Sequence, residues 1–371
     1  MTNETLYSIA LSSIEGIGPC RAKEFVRVFG SAEALYHLSP YDMVDKGITP
    51  NALRLFLENK DKSLAVAEKE MLQMERLGIQ CYNYFDDNYP LRLRQCDDSP
   101  LVLYTNNLID LSRDHYVAIV GTRKATDYGR SATRSFVKEL AERCPDVTIV
   151  SGLAYGIDIN AQRAALEFGL RTVGVVAHGL HTLYPSAHRA TAQTLTAQGG
   201  AVLSEYPTSV GPAPKNFLQR NRIVAGMSDC VLVMESAVQG GSISTVSHAL
   251  NYNRDVFAYP GRVGDPASEG CNHLIQTSKA RLATSAGSVL KAMGWGDDVA
   301  AQPVAAAAAA ESYSPEETAV LSLLRQGSEP LQIAVLMQKS GIPMHKLRAL
   351  LTKLEFKGAV TQLAGEKYKI I

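Results

Sequence analysis

The stretch YVAIVGTRKATDYGR, residues 116–130, decides how this chain reads. Tyr116 to Val120 is a short, continuous run of β-formers, the pattern of a strand buried on both faces. It runs directly into Gly121, Thr122 and Arg123, and helical spacing follows over 129–143. Strand, glycine turn and helix start in that order predict a phosphate-accepting loop, because unpaired backbone N–H groups gather at a helix N-terminus. The dinucleotide fingerprint G-x-G-x-x-G is absent. A single glycine followed by an arginine suits a phosphate held by a guanidinium fork, not a pyrophosphate lying on bare backbone. An ordinary strand-to-helix turn with a solvated arginine would use the same residues.

Outward from this stretch, strands and helices alternate from 116 to about 294. Strands are expected at 116–120, 147–150, 171–177, 201–205, 229–235 and 255–259, with helices between them, for example over 157–168, 186–197 and 241–253. Continuous apolar strands separated by amphipathic helices predict an α/β fold, a Rossmann-like, doubly wound and mostly parallel sheet. In such sheets the ligand lies beyond the carboxyl ends of the strands. Those ends read Gly121-Thr122-Arg123, then Ser151-Gly152 with Gly156 and Asp158, then His178-Gly179 with Tyr184-Pro185. Ser204-Glu205-Tyr206-Pro207, Gln239-Gly240-Gly241-Ser242 and Pro260-Gly261 complete the set. Glycines and hydroxyls at nearly every strand end mark a crevice that a ligand backbone can approach closely.

Between the fourth and fifth strands, residues 206–228 contain Lys215, Arg220 and Arg222 and no acidic residue. A helix beginning near Asn216 sets Lys215, Gln219 and Arg222 on one face. Phe217 sits among these cations near the helix start, where it can stack on a base. A solvated basic helix with a core phenylalanine is the simpler alternative. Arg123, Lys215, Arg220 and Arg222 are expected to form one basic pocket.

Composition bounds the function classes. The chain has 371 residues, 46% hydrophobic and 20% charged, enough for two or three domains with real cores. Lys+Arg and Asp+Glu balance at 37 each, so any nucleic-acid binding must come from a local patch. No apolar run approaches the roughly 20 residues of a membrane span, and the start carries no basic leader, so the expectation is a cytoplasmic protein without a membrane contact. Cys20, Cys81, Cys96, Cys144, Cys230 and Cys271 are scattered, which argues for a reducing compartment and against zinc or a disulfide framework. His178, His181 and His188 have no cysteine or carboxylate at ligand spacing, so neither a metal nor a cofactor is expected.

The flanks read as separate modules: a helical N-terminal domain over 1–78, a Rossmann-like domain over 79–296, an alanine-rich linker over 297–312 and a winged helix over 313–371. Within the first, Ile14-Glu15-Gly16-Ile17-Gly18-Pro19 resembles a helix-hairpin-helix turn, although a tight turn with no ligand is the favoured reading, since only Arg21 and Lys23 follow as phosphate partners. Residues 62–78 read as an amphipathic helix stopped at Gly78, and 79–84 and 101–104 as short strands. In the last module, helices at 315–325, 330–338 and 343–357 precede strands at 359–363 and 367–371 joined near Gly365. Lys346, Arg348 and Lys353 lie on its candidate recognition helix, which suits duplex DNA or a protein.

Several linked motifs resemble the DNA-processing protein A (DprA/Smf) family of bacteria. They are Gly121-Thr122-Arg123, Ser151 through Asp158, Arg220-Asn221-Arg222-Ile223-Val224-Ala225-Gly226, Val256 through Gly261, and Ser268-Glu269-Gly270-Cys271-Asn272. The resemblance covers roughly 80–290. It implies an extended Rossmann domain that binds single-stranded DNA, works as a homodimer and helps load the recombinase RecA during natural transformation. Arg123, Lys215, Phe217, Arg220 and Arg222 fall where that family contacts DNA. The full expected DNA-binding set adds Gly121, Thr122, Ser151, Gly152, Gly156, Asn221, Gly240, Gly241 and Ser242. Departures are Thr122 for the commoner serine, Leu218 for a usual proline, and Gln239-Gly240-Gly241-Ser242 for a Lys-Ser-Gly-Ser type loop, which removes a phosphate-binding lysine.

Two other functions compete. A phosphoribohydrolase of the lysine-decarboxylase-like type would carry Pro-Gly-Gly-x-Gly-Thr and a glutamate. Here 239–245 lacks the proline and third glycine, and Val246-Ser247-His248 follows. Without a placed general base this chemistry has no engine, and no enzyme is expected. Asp158, near a helix start, suits a capping or dipole role. A winged-helix regulator with a ligand-sensing Rossmann domain is the third reading.

Overall fold

The computed structural model describes residues 2–43, 46–112, 115–295, 313–326, 331–357, 359–363 and 367–370. Met1–Gly296 and Asp297–Ile371 are two compact units. The expected linker over 297–312 and the turn near Gly365 lie outside the described residues.

The first unit opens with helices α1 (Asn3–Ser12), α2 (Pro19–Phe29), α3 (Ala32–His37) and α4 (Pro50–Leu77). A separate helix from 62 does not form; α4 runs unbroken for 28 residues. No glycine or proline interrupts 51–77, and Gly78, in the left-handed conformation at φ 65°, ends it.

The chain then alternates: β1 (Gln80–Asn83), α5 (Leu91–Arg94), β2 (Val102–Thr105), β3 (Tyr116–Val120), α6 (Asp127–Arg143), β4 (Thr148–Ser151), α7 (Ile157–Glu167) and β5 (Arg171–Val175). Next come α8 (Arg189–Ala197), β6 (Ala201–Ser204), α9 (Pro214–Gly226), β7 (Cys230–Val233), α10 (Ser242–Asn251) and β8 (Asp255–Ala258). Helix α11 (Glu269–Gln276), β9 (Arg281–Leu282) and α12 (Ala286–Met293) complete the unit.

All six expected Rossmann strands form. They belong to one nine-stranded sheet ordered β1-β2-β6-β5-β4-β3-β7-β8-β9. Pairing is parallel from β6 across to β9, while β1 and β2 add an antiparallel edge. Alternate residues feed opposite faces. Tyr116, Ala118 and Val120 join the core that also holds Ile223 and Val224 of α9 and the N-terminal helices. Val117 and Ile119 join Phe136, Val137 and Leu140 of α6 on the other face. The N-terminal helices share a core with the sheet and fall in the same compact unit. A further tie is Glu70 of α4, whose two oxygens accept from the Thr208 N–H at 2.6 Å and the Thr208 hydroxyl at 2.7 Å.

The second unit contains α13 (Pro315–Gln326), β10 (Leu331–Gln332), α14 (Ile333–Ser340), α15 (Met344–Phe356), β11 (Val360–Leu363) and β12 (Lys367–Ile370). Three helices around a β10-β12-β11 sheet make a winged helix. Ser314 and Glu317 cap α13 reciprocally, at 3.1 and 2.9 Å. Strand β10 takes the first residues of the helix expected at 330–338.

Candidate nucleic-acid interface

Strand order reverses between β3 and β7, which opens a crevice at their carboxyl ends. The turn after β3 is pinned on both sides. The Thr122 N–H donates to the Glu235 carbonyl at 2.7 Å, and the Thr122 carbonyl accepts from the Ile157 N–H at 3.1 Å. Gly156, at φ 79°, presses on the Thr122 carbonyl so closely that no Cβ fits there. The Thr122 hydroxyl accepts from the Lys124 N–H at 3.2 Å, curling Arg123 and Lys124 outward, where both are exposed.

The N-terminus of α6 does not receive the phosphate that the strand–turn–helix pattern suggests. The buried carboxylate of Glu235 fills it, accepting from the Thr126 N–H at 2.9 Å and the Thr126 hydroxyl at 2.5 Å. A fixed negative charge already answers that helix end. The open helix end belongs to α10, which starts at Ser242 behind Gly240 and Gly241 with no side-chain cap.

A crevice of about 440 Å³ results, lined by Gly121, Thr122, Arg123, Phe217, Arg220, Asn221, Gly240, Gly241 and Ser242. Nine of the expected DNA-binding residues thus meet in one place. The Arg123 guanidinium lies 4.9 Å from the centre of the Phe217 ring, a cation–π stack. Tyr184 lies beyond, its ring 5.9 Å from Phe217 at 57°. Asn221 donates to the Ser244 hydroxyl at 2.7 Å, joining α9 to α10.

Arg220 is only 4% exposed and forms the floor. Its Nη1 donates to the Gly152 carbonyl at 2.9 Å and to the Val175 carbonyl. The Gly152 N–H donates to Asp158 Oδ2 at 3.1 Å, and a Cβ on Gly152 would collide with both charged side chains. Burial pushes the Asp158 carboxyl above the usual carboxylate range, opposed by Arg220 and the Gly152 N–H. Burial likewise lowers the Arg220 guanidinium, while Asp158 pulls it up.

Five expected residues stand apart from the crevice wall. Lys215 is exposed in the first turn of α9. Ser151 is fully buried, its hydroxyl donating to the Ile119 carbonyl at 2.6 Å. Gly152 and Gly156 support the floor and the turn from behind. Arg222 departs most: its guanidinium is buried in an ion pair with Glu205 and reaches Asp98 at 4.0 Å. Lys215 and Arg222 do share a helical stripe, but α9 dives inward along its length. Its last turns, with Ile223 and Ala225 fully buried, carry Arg222 under the loop that holds Asp98. A single basic pocket of four cations is therefore replaced by a crevice with Arg123, Lys124 and Arg220.

Lys124, Tyr184 and Glu235 lie at or beside the crevice but outside the expected binding set, although the sequence places Tyr184 at a strand end. Lys124 adjoins Arg123 and was findable; the other two reach the site only through tertiary packing. His178 and His188 are buried and bond backbone groups, and no group of metal-ligating residues occurs among the described residues.

Fold and site define a class: a doubly wound α/β protein with a cationic, aromatic crevice at its switch point and a winged-helix unit. Comparison with known proteins narrows it. The family described as DNA recombination-mediator protein A matches residues 80–294, and the DprA winged helix domain matches residues 304–366. Protein Smf of Escherichia coli is 32% identical over 347 residues, covering 92% of this chain and 90% of that protein. The DNA processing protein DprA of Streptococcus pneumoniae is 38% identical over 219 residues, 59% of this chain and 76% of that protein. Its X-ray structure superposes with a TM-score of 0.65 at 33% identity, covering 78% of this chain and 98% of that one. DNA processing protein A from Helicobacter pylori, described by its single-stranded DNA binding mode, superposes at 0.51 with 31% identity, covering 58% and 95%. The chain belongs to the DNA recombination-mediator protein A (DprA/Smf) family.

Proposed function

We propose that this protein binds single-stranded DNA at the switch-point crevice and acts as a recombination mediator. In this role it protects incoming DNA and helps load RecA during natural transformation, as a cytoplasmic homodimer without turnover. The observation that carries the reading is the Arg123–Phe217 stack set over buried Arg220 and beside the uncapped start of α10. Such a site offers two kinds of contact at once. Guanidinium and backbone N–H groups meet phosphates, and the Phe217 and Tyr184 rings meet bases that a duplex would keep stacked. Nothing in the reading depends on base identity, so binding is indifferent to sequence. Against turnover, Asp158 is already engaged by the Gly152 N–H, and Glu205 by Arg222. The RecA and homodimer parts rest on family membership.

Mobility shifts with single- and double-stranded DNA of graded length test the reading. Affinity should rise with single-strand length, exceed that for duplex and leave the DNA intact. Equal affinity for blunt duplex, or steady nucleotide hydrolysis lost on changing Asp158, would overturn it. Co-sedimentation with RecA and the mass in solution test the two family-based parts.

A further inference from the structure

A second cationic cavity lies between α2 and the segment from Tyr84 to Asp97. It encloses about 550 Å³, within the range of ligand sites. Lys23, Arg27 and Arg94 line it, and Asp97 is the single carboxylate residue of its wall among the described residues. Among the described residues, no ion pair joins Lys23, Arg27 or Arg94 to a carboxylate.

Lys23 is 2% exposed, and only uncharged oxygens hold its ammonium: Asp97 O at 2.6 Å, Ser99 Oγ at 2.8 Å and Cys96 O at 3.4 Å. It stands 4.5 Å from the centre of the Tyr84 ring. Arg27 donates to the Tyr84 hydroxyl at 3.2 Å, which donates onward to the Arg94 carbonyl at 3.2 Å. Arg94 reaches the Asp86 carbonyl, and its buried Nε has no hydrogen-bond partner. A buried ammonium hydrogen-bonded only to neutral oxygens, with Asp97 and Asp98 acting on it without an ion pair, is under-compensated, a deficit that a bound anion relieves. Consistently, burial holds the Lys23 ammonium below the ordinary lysine range. A separate, more open hollow shares Cys20 and Arg27 with it and is lined also by Gly18, Arg21 and Glu24, beside the Gly16–Gly18 turn whose sequence resembles a helix-hairpin-helix.

We infer that this cavity is a second phosphate site, distinct from the switch-point crevice, in which Arg27 and Arg94 grip phosphate groups of a nucleic-acid strand. The two guanidinium forks suit tetrahedral oxyanions, and Lys23 supplies charge from beneath. That the strand is single-stranded DNA rests on the function proposed above; the phosphate chemistry does not.

The test uses the full chain, the double variant Arg27→Ala/Arg94→Ala, and Arg27→Glu as a single change on the exposed surface of α2. Two probes separate the sources of phosphate: a 40-mer of thymidylate, and inorganic pyrophosphate. With the 40-mer, losing two phosphate contacts should flatten the slope of log affinity against log salt by about 1.4, at about 0.7 for each contact. Pyrophosphate should raise the melting temperature of the parent chain, and that rise should vanish in both variants. Loss of the pyrophosphate effect with an unchanged 40-mer slope would overturn the strand assignment and leave a small-anion site. Full retention of both effects in both variants would overturn the site. Should the parent chain fail to bind the 40-mer, the single-strand reading falls, and the pyrophosphate arm still decides the cavity.

Discussion

Arg123 and Arg222 carry the same charge in the same expected role, yet their surroundings assign them opposite tasks. Arg123 is exposed over Phe217, so Arg123→Ala should leave the melting temperature unchanged. It should weaken single-strand binding and flatten the salt slope by about 0.7. Phe217→Ala should cost roughly 1–3 kcal/mol of binding with the slope intact, because stacking releases no counterion. Arg222→Ala should instead strand Glu205 as a buried, uncompensated charge and cost about 3–5 kcal/mol of stability, read from chemical denaturation. Equal effects of Arg123→Ala and Arg222→Ala on stability would refute that division. His178 adds a pH dependence. Its Nδ1 faces the Gly179 carbonyl at 2.9 Å, and its Nε2 accepts from the Tyr184 N–H at 3.1 Å, which requires the neutral ring. Burial lowers its folded pKa, the Gly179 carbonyl opposes this, and the His181 and Arg220 charges add to the lowering. A depressed folded value means that the unfolded chain binds the proton more readily. The stabilisation is full above the unfolded value of about 6.5 and is lost as the pH falls through the folded one. Melting curves from pH 8 to 5 should therefore decline less steeply for His178→Asn than for the parent chain.

Helix α9 shows how far an element can be read before it is seen. Its cations, its phenylalanine and its register were legible, since a period of 3.6 fixes which residues share a stripe. What covers each part of the stripe was not, because Asp98, Glu205 and the Gly152 carbonyl arrive from distant segments. The same holds for α6. Its sequence looks like an open phosphate-binding helix start, and only the folded chain brings Glu235 to occupy it. Sheet order was legible as a class, through the glycines and hydroxyls at the strand ends. The antiparallel edge was not, because the direction of β1 and β2 is set by which distant strand β2 pairs with, β6, and not by residues 80–83 and 102–105 themselves. Glu70 is a further tertiary determinant, a carboxylate from α4 that fixes the 206–213 loop from which α9 departs. Glu70→Ala should lose two charge-assisted bonds, worth about 1.5–3 kcal/mol each, and should expose that loop to protease. Glu70→Gln should behave almost as the parent, since an amide can accept from the Thr208 N–H and donate to its hydroxyl. Matching protease sensitivity of the two variants would rule out this bracing role.

At the scale of the whole molecule, the chain consists of two units with separate cores. Leu336, Leu347, Leu351, Leu354 and Val360 give the second unit its own buried centre. Its candidate recognition helix α15 spends part of its positive charge internally, because Lys346 pairs with Glu316 at 2.6 Å. Beside it, Lys357 pairs with Glu317 at 3.0 Å. The exposed Lys346–Glu316 pair contributes little stability, but both pairs lower the potential that a duplex backbone would meet. Every residue that lines the crevice lies in the first unit. A chain ending at Gly296 should therefore fold, melt in one transition and keep single-strand affinity within a few-fold of the full chain, with the same salt slope. The isolated segment 313–371 should melt separately and bind duplex DNA weakly, with a shallow salt dependence. If the shortened chain folds, as judged by circular dichroism, yet loses the salt-dependent part of its single-strand binding, the phosphate contacts belong to the winged helix and the crevice is not the DNA site.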